Sequence, residues 1–271
     1  MFLYDVANIL PILIVILVSF KFGYIPMWVS FFMGIFAFTP FFLNYVLFSP
    51  SYMPDQWQYY YFVQNLRSFE FNDLAESVPV EVASWIYSFI PLPYVETIQS
   101  LGFFNRLIAT LLTIWLYASK NLRGWPLLFL IFYPSLLLYS SLSLRDTLVM
   151  LFMVLSVILF IENRRLLAII ISLPLILIKF QNFFLLLVFF VAHLYFSRGS
   201  IVYRYRHIFA LIVIAAIAPF LITIIEILDY SRFNMFIEDG GYRDSYVHMR
   251  TVEDFAIIAL QSAPYFLMKP L

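Results

Sequence analysis

The stretch Phe2-Leu-Tyr-Asp-Val-Ala-Asn-Ile-Leu-Pro-Ile-Leu-Ile-Val-Ile-Leu-Val-Ser-Phe20, closed by Lys21, decides the reading of this chain. Phe2–Phe20 is predominantly apolar and has the length at which a helix crosses a hydrocarbon layer (roughly 17–25 residues), with its most apolar part from Val6 onward. It has neither the basic start nor the small-residue cleavage site of a secretory signal, so it reads as a retained helix. The same ruler places further crossings at Tyr24–Phe48, Leu101–Ser119, Trp125–Leu142, Asp146–Ile161, Leu166–Leu177, Asn182–Phe196, Ile208–Leu228 and Phe255–Met268, about nine in all. Two short links, Leu144–Asp146 and Lys179–Asn182, turn their neighbours into antiparallel hairpins. Val82–Ile90 is apolar but too short to cross, and Pro91 and Pro93 end it as an interfacial or re-entrant helix.

Composition agrees with an all-α, polytopic integral membrane protein forming one transmembrane domain over residues 1–271. Of the 271 residues, 63% are hydrophobic and only 12% charged, far from the balance of a soluble domain. Aromatic residues reach 21%, as expected where rings gather at membrane interfaces. With no cysteine, disulfides and thiolate metal sites are excluded. The formal charge is zero and there is no basic tail, so nothing points to nucleic acid. His193, His207 and His248 lack metal-ligand spacing.

Charge orients the helices. Lys21, Lys120, Arg123, Arg164, Arg165, Arg198, Arg204, Arg206 and Lys269 fall on one side of the spans, nine of the sixteen basic residues, with Glu162 as that side's only acid. The positive-inside rule puts these loops in the cytoplasm and the N-terminus outside. The other fifteen acids lie on the outer side, concentrated in two long loops, 49–81 and 229–254, and at helix ends. Both loops mix aromatics with charges and lack the composition of flexible linkers. No internal repeat of the transporter kind is visible.

Three outer segments carry polar chemistry. In the first, Met53-Pro-Asp-Gln-Trp-Gln-Tyr-Tyr-Tyr, Pro54 suits a helix start and Asp55 sits where the helix dipole favours a carboxylate. Asp55, Tyr59 and Phe62 share a face, with Trp57 and Tyr60 turned elsewhere. This is either a carboxylate at the lip of a cavity with aromatic surface for a sugar or lipid, or a helix cap with an interfacial aromatic belt. The second is Tyr133-Pro-Ser-Leu-Leu-Leu-Tyr-Ser-Ser-Leu-Ser-Leu-Arg-Asp146, where Pro134 should break the helix and the link presents Arg145 and Asp146. A charge at mid-bilayer costs about 2.5–3.5 kcal/mol, which makes such residues functional candidates, and the arginine fork suits a pyrophosphate. A hairpin turn with a local ion pair is the plainer account. Arg106 and Lys179 fall at outer ends as well, so Arg106, Arg145 and Lys179 either form one anion site or snorkel separately to the interface. The third segment, Asp239-Gly-Gly-Tyr-Arg-Asp-Ser-Tyr-Val-His-Met-Arg250, predicts a tight turn and a short helix with Arg243 and Arg250 on one face. It reads as a substrate-positioning loop or as an ordinary solvated one. Phosphate-binding, dinucleotide-binding and hydrolase-elbow motifs are absent.

On these residues the chain resembles bacterial O-antigen and exopolysaccharide polymerases and the wider polytopic GT-C glycosyltransferases. The resemblance rests on the Asp55-x-x-x-Tyr59 stretch, the Pro134 to Asp146 hairpin with Asn163-Arg-Arg165 beyond it, and Tyr242-Arg-Asp-Ser-Tyr246 leading to Ala263-Pro264. These segments cover about half the chain, and none is a strict signature. The chain departs from the GT-C pattern in placing two helices before a lone Asp55, where that class carries paired acids after its first helix. It also stops at Leu271, where such polymerases often continue, as a truncated or short variant would.

The resemblance implies polymerisation of undecaprenyl pyrophosphate-linked oligosaccharides at the outer face of a bacterial inner membrane, with membrane lipid and a polysaccharide chain-length regulator as candidate partners. Asp55 would take the acceptor hydroxyl proton, and Arg145 with Lys179 or Arg243 would stabilise the leaving pyrophosphate. Trp57, Tyr59, Arg106, Asp146 and Arg250 would complete the substrate site, Tyr59 by offering its ring to a sugar. The scheme needs no cofactor or metal and leaves room for a divalent cation on the pyrophosphate. The alternatives are a GT-C enzyme moving one sugar from a polyprenyl-phosphate donor, and a lipid-linked glycan translocase or assembly partner without catalysis.

Overall fold

A computed structural model describes residues 2–69, 77–89, 93–197, 201–205, 207, 208, 211, 215, 219, 221–238, 246–258 and 260. Its regular structure is helical throughout, apart from one isolated bridge between Asn44 and Phe48. The chain, read from sequence as one domain, divides into two compact units, residues 1–190 and 191–271.

In the first unit α1 (Phe2–Lys21) is followed by α2 (Met27–Phe36) and α3 (Thr39–Leu43). Next come α4 (Asp55–Arg67), α5 (Val78–Ser88), α6 (Ser100–Ala118), α7 (Trp125–Phe132) and α8 (Pro134–Tyr139). The series ends with α9 (Asp146–Ile161), α10 (Arg165–Ser172), α11 (Pro174–Ile178) and α12 (Phe180–Phe196), whose last residues belong to the second unit. Helix α6 is the centre, in contact with α1, α3, α7 and α9. It is buried nearly all round, and its small residues let neighbours approach. Helix α4 packs on α5, and α11 packs on both α5 and α9.

Two helices, Tyr4–Lys21 and Ser100–Ala118, are long and apolar enough to cross a membrane; Met27–Leu43, Asp146–Ile161, Arg165–Ile178 and Phe180–Phe196 are shorter apolar helices. Several expected spans are therefore broken. Backbone helicity in Tyr24–Phe48 stops at Leu43. The break expected at Pro134 is present, with Tyr133 extended between α7 and α8. A second break precedes Pro174, since proline removes one backbone donor and crowds the preceding turn.

Apolar side chains face outward as well as inward. Helix α1 buries Asp5, Asn8, Ile9, Ile12, Ile16 and Ser19, at helical spacing, and exposes Val6, Leu10, Ile14 and Leu17. Its polar face is tied inward. The hydroxyls of Thr97 and Ser100 donate to the Asp5 carboxylate at 2.8–3.1 Å, and Asn8 exchanges bonds with the Tyr94 backbone at 2.9 and 3.2 Å.

The second unit contains α13 (Ile201–Arg204), α14 (Leu221–Glu238) and a helical stretch at 252–258. Helix α14 runs ten residues past Leu228, so the segment expected to be a loop from 229 begins as helix. Thr251 and Asp254 form a reciprocal capping box: Asp254 Oδ2 accepts from the Thr251 amide at 2.9 Å, and Thr251 Oγ1 from the Asp254 amide at 3.1 Å.

Candidate functional site

The link Ser140–Leu144 between α8 and α9 is buried without being helical or strand, so its backbone groups need partners from elsewhere. Asn105 on α6 donates through Nδ2 to the carbonyls of Leu142 at 2.6 Å and Leu144 at 2.7 Å. The Tyr87 hydroxyl on α5 lies 2.7 Å from the Leu144 carbonyl and 2.9 Å from Asn105 Oδ1. Gln56 on α4 accepts from the Ser143 amide at 3.1 Å, while its amide group exchanges bonds with that of Asn44 at 2.9 and 3.1 Å. The Ser143 hydroxyl donates to the Ile98 carbonyl, and the Ser141 and Thr39 hydroxyls meet at 2.6 Å. Gly102 permits the fit, since a Cβ there would collide with the Ser141 carbonyl oxygen. Side chains from four helices thus set the position of the residues that follow the link.

Those residues are Arg145, which caps α9, and Asp146, its first member. Lys179 sits in a non-helical position between α11 and α12 and places Nζ 3.0 Å from Asp146 Oδ1. The Arg145 side chain is half-buried and makes no hydrogen bond or ion pair among the described residues. Tyr59 reports on the same neighbourhood. Burial pushes its hydroxyl up to about 12, with Arg145 opposing and the charges of Asp55 and Asp146 adding to the rise. The phenol therefore stays protonated near neutral pH, as a hydrogen-bond donor. Asp55, at the exposed start of α4, is one turn before Tyr59 and close enough for its charge to act on the phenol.

This arrangement can hold an anion. Arg145 offers an unpaired planar fork, and Lys179 a second cation shared with Asp146. With side chains 33% and 36% exposed, the Lys179–Asp146 pair contributes no more than about 1 kcal/mol to stability. Lys179→Met is accordingly expected to move the unfolding midpoint by less than about 4 °C.

Tyr59 and Trp57 pack among other aromatic rings. Tyr59 is 2% exposed and packs edge-on against Tyr87, so its ring is core and not a sugar platform. Trp57, half-buried, stacks on Tyr61 at 5.6 Å. Arg106 does not join Arg145 and Lys179: its Nη1 donates to Ser140 Oγ at 2.9 Å and its guanidinium lies 5.7 Å from the centre of the Phe36 ring. Arg243 lies outside the described residues. Arg250 is not on a helix, because residues 246–250 run non-helically, with the Met249 amide bound to a side chain of α14.

That side chain is Asp229, the centre of a second group wholly within the second unit. Its carboxylate accepts from the Met249 amide at 2.8 Å and the Tyr246 hydroxyl at 3.0 Å, and lies 2.7 Å from His248 Nδ1. Burial alone would raise the Asp229 carboxyl; the bonds from Met249, His248 and Tyr246 outweigh it and hold the group below the usual carboxylate range. An ionised carboxylate only accepts, so Nδ1 carries the proton and, in the neutral ring, Nε2 is left basic. Phe233 stacks on the imidazole at 5.8 Å. A cleft of about 460 Å³ adjoins the pair, with Glu226, Tyr230 and Arg250 on its wall. Nothing in the sequence pairs residues nineteen positions apart across a helix and a non-helical stretch. Among the described residues no three His, Asp or Glu side chains are grouped as metal ligands.

The depressed carboxyl of Asp229 gives a pH dependence of definite sign. Its stabilising bonds are fully present above the unfolded value near 3.8 and are lost as pH falls through the lower folded value. The near-ultraviolet circular dichroism of the Phe233–Tyr246–His248 group should hold down to about pH 4 and decay below it. In Asp229→Asn that acid transition should vanish.

The class defined is an all-α protein with an apolar exterior, a broken-helix polar seam and a cation-bearing end to that seam. No family profile, curated protein or solved structure matches the chain.

Proposed function

We propose that the chain is a polytopic membrane protein that transfers glycans from a lipid-pyrophosphate donor at the outer face of a bacterial inner membrane, extending a surface polysaccharide. The carrying observation is the half-buried Arg145, without a hydrogen bond or ion pair among the described residues, at the end of a buried non-helical link and next in sequence to the Asp146–Lys179 pair. Backbone of that kind, enclosed by protein within an apolar-surfaced bundle, is where membrane proteins place sites for polar substrates. The exposed apolar faces of α1, α2, α10 and α12 support burial in lipid. The expected orientation puts Asp55, Arg145 and Lys179 together on the acid-rich, non-cytoplasmic side.

In this reading Arg145 and Lys179 bind the pyrophosphate and stabilise the charge it gains on leaving. Asp55 takes the proton of the attacking sugar hydroxyl. The acceptor oxygen bonds to the donor's anomeric carbon as the bond from that carbon to the pyrophosphate oxygen breaks.

Deleting the gene and running surface polysaccharide on a gel tests the proposal. Collapse of a ladder to single capped repeats, restored by the intact gene, supports polymerisation. Loss of one sugar from the repeat itself would replace it with single-sugar transfer, and an unchanged ladder would remove both.

A further inference from the structure

Arg106 poses a separate problem of charge. It lies in the second turn of α6, is 7% exposed, and no carboxylate pairs with it among the described residues. A guanidinium cannot shed its proton, so burial does not remove the charge. One bond to Ser140 Oγ and the face of Phe36 satisfy part of the group, but Nε has no partner. Thr110, four residues on and therefore on the same face, has a buried hydroxyl that also lacks one. The neighbouring Thr113 hydroxyl is already committed to the Ala109 carbonyl at 2.7 Å.

Arg106, Thr110 and Thr113 line one small chamber closed by Met33, Ile131 and Leu137, with about 20 Å³ of free space. A water needs on the order of 10–15 Å³, so the chamber suits one small particle of water or halide size better than a phosphate or carboxylate. A water would accept from Nε–H and Thr110 Oγ–H but leave the positive charge uncompensated. A halide accepts both hydrogen bonds and supplies the missing charge.

We propose that this chamber is a buried binding site for one monovalent anion of the chloride class. The anion ties α6 to the α7–α8 break and, through Ser140, to the start of the buried link that leads to Arg145. The proposal does not depend on glycan transfer: Arg106 here serves an ion, apart from the Arg145–Lys179 group.

The test uses the full-length protein in detergent, transferred to sodium gluconate and titrated with chloride or bromide at constant ionic strength. The expected result is a saturable rise in unfolding midpoint, roughly 3–6 °C at ten times the half-saturating concentration. Arg106→Met, which keeps the alkyl stem, should abolish the halide response, and Thr110→Val should shift it to higher concentration. If Arg106→Met does not fold, Thr110→Val carries the comparison. Bromide-soaked crystals should show an anomalous peak within hydrogen-bond distance of Arg106 Nε. Equal midpoints in chloride and gluconate would overturn the proposal in favour of a single water, as would an equal response to phosphate or a response unchanged in both variants.

Discussion

Arg145→Ala is expected to cut polymer formation by about 10²–10³-fold while leaving the protein folded and inserted, the loss typical when one preorganised donor to a developing negative charge is removed. The two halves of this expectation have separate grounds. Among the described residues the guanidinium makes no ion pair, so removing it orphans no carboxylate; Asp146 keeps Lys179 at 3.0 Å. The link that delivers residue 145 is held through its backbone and its serines, none of which changes. Arg145→Lys should recover only part of the activity, because an ammonium supplies charge without the planar fork that grips two phosphate oxygens. The measurement is ladder density on a gel from a deletion strain complemented at matched protein level. An undiminished ladder from Arg145→Ala would take this residue out of the reaction.

The second large effect belongs to Asn105, where a change of two atoms should be as damaging as a change of shape. Asn105→Asp is nearly isosteric, yet it replaces a donor amide by an oxygen facing the Leu142 and Leu144 carbonyls. Leu144 retains the Tyr87 hydroxyl, whereas the Leu142 carbonyl loses its side-chain donor. Leaving one buried carbonyl unsatisfied and adding a buried carboxylate is expected to cost about 2–4 kcal/mol, lowering the midpoint by roughly 5–12 °C. Asn105→Leu should fall in the same range, and Gly102→Ala should destabilise by about 1–3 kcal/mol through overpacking, since the atom it meets is backbone and cannot step aside. All three should lower activity in proportion to folded protein. A midpoint for Asn105→Asp within 1 °C of the unaltered protein would show that the link does not need its side-chain partners.

Some of this was legible in the sequence. Proline marks three of the boundaries: Pro54 before α4, Pro134 at the α7–α8 break and Pro174 at the break within an expected crossing. The first two are readable because turn-forming or polar residues surround them. Pro174 is embedded in isoleucine and leucine, and hydropathy passes over it. Arg145, Asp146 and Lys179 stood out as candidates as well, since charges at the ends of apolar segments are marked by their cost. Asn105, Tyr87, Gln56 and Ser143 were not: each is a single neutral polar residue, and their pairing spans 18 to 87 positions with no period to reveal it. Burial misled twice. Tyr59 shares a helical face with Asp55, but that face turns into the core after one turn. Arg106 sits at the same expected depth as Arg145 yet is buried against Ser140 and Phe36, which spacing along the chain cannot decide.

Among the described residues every side-chain partner of the 140–144 link comes earlier in the chain: Thr39, Gln56, Tyr87, Asn105 and Arg106, with the Ile98 carbonyl among them. A ribosome therefore finishes the seat before it makes the occupant. The link has no need to wait for later helices, and Arg145 emerges next to a frame that is already complete in covalent terms.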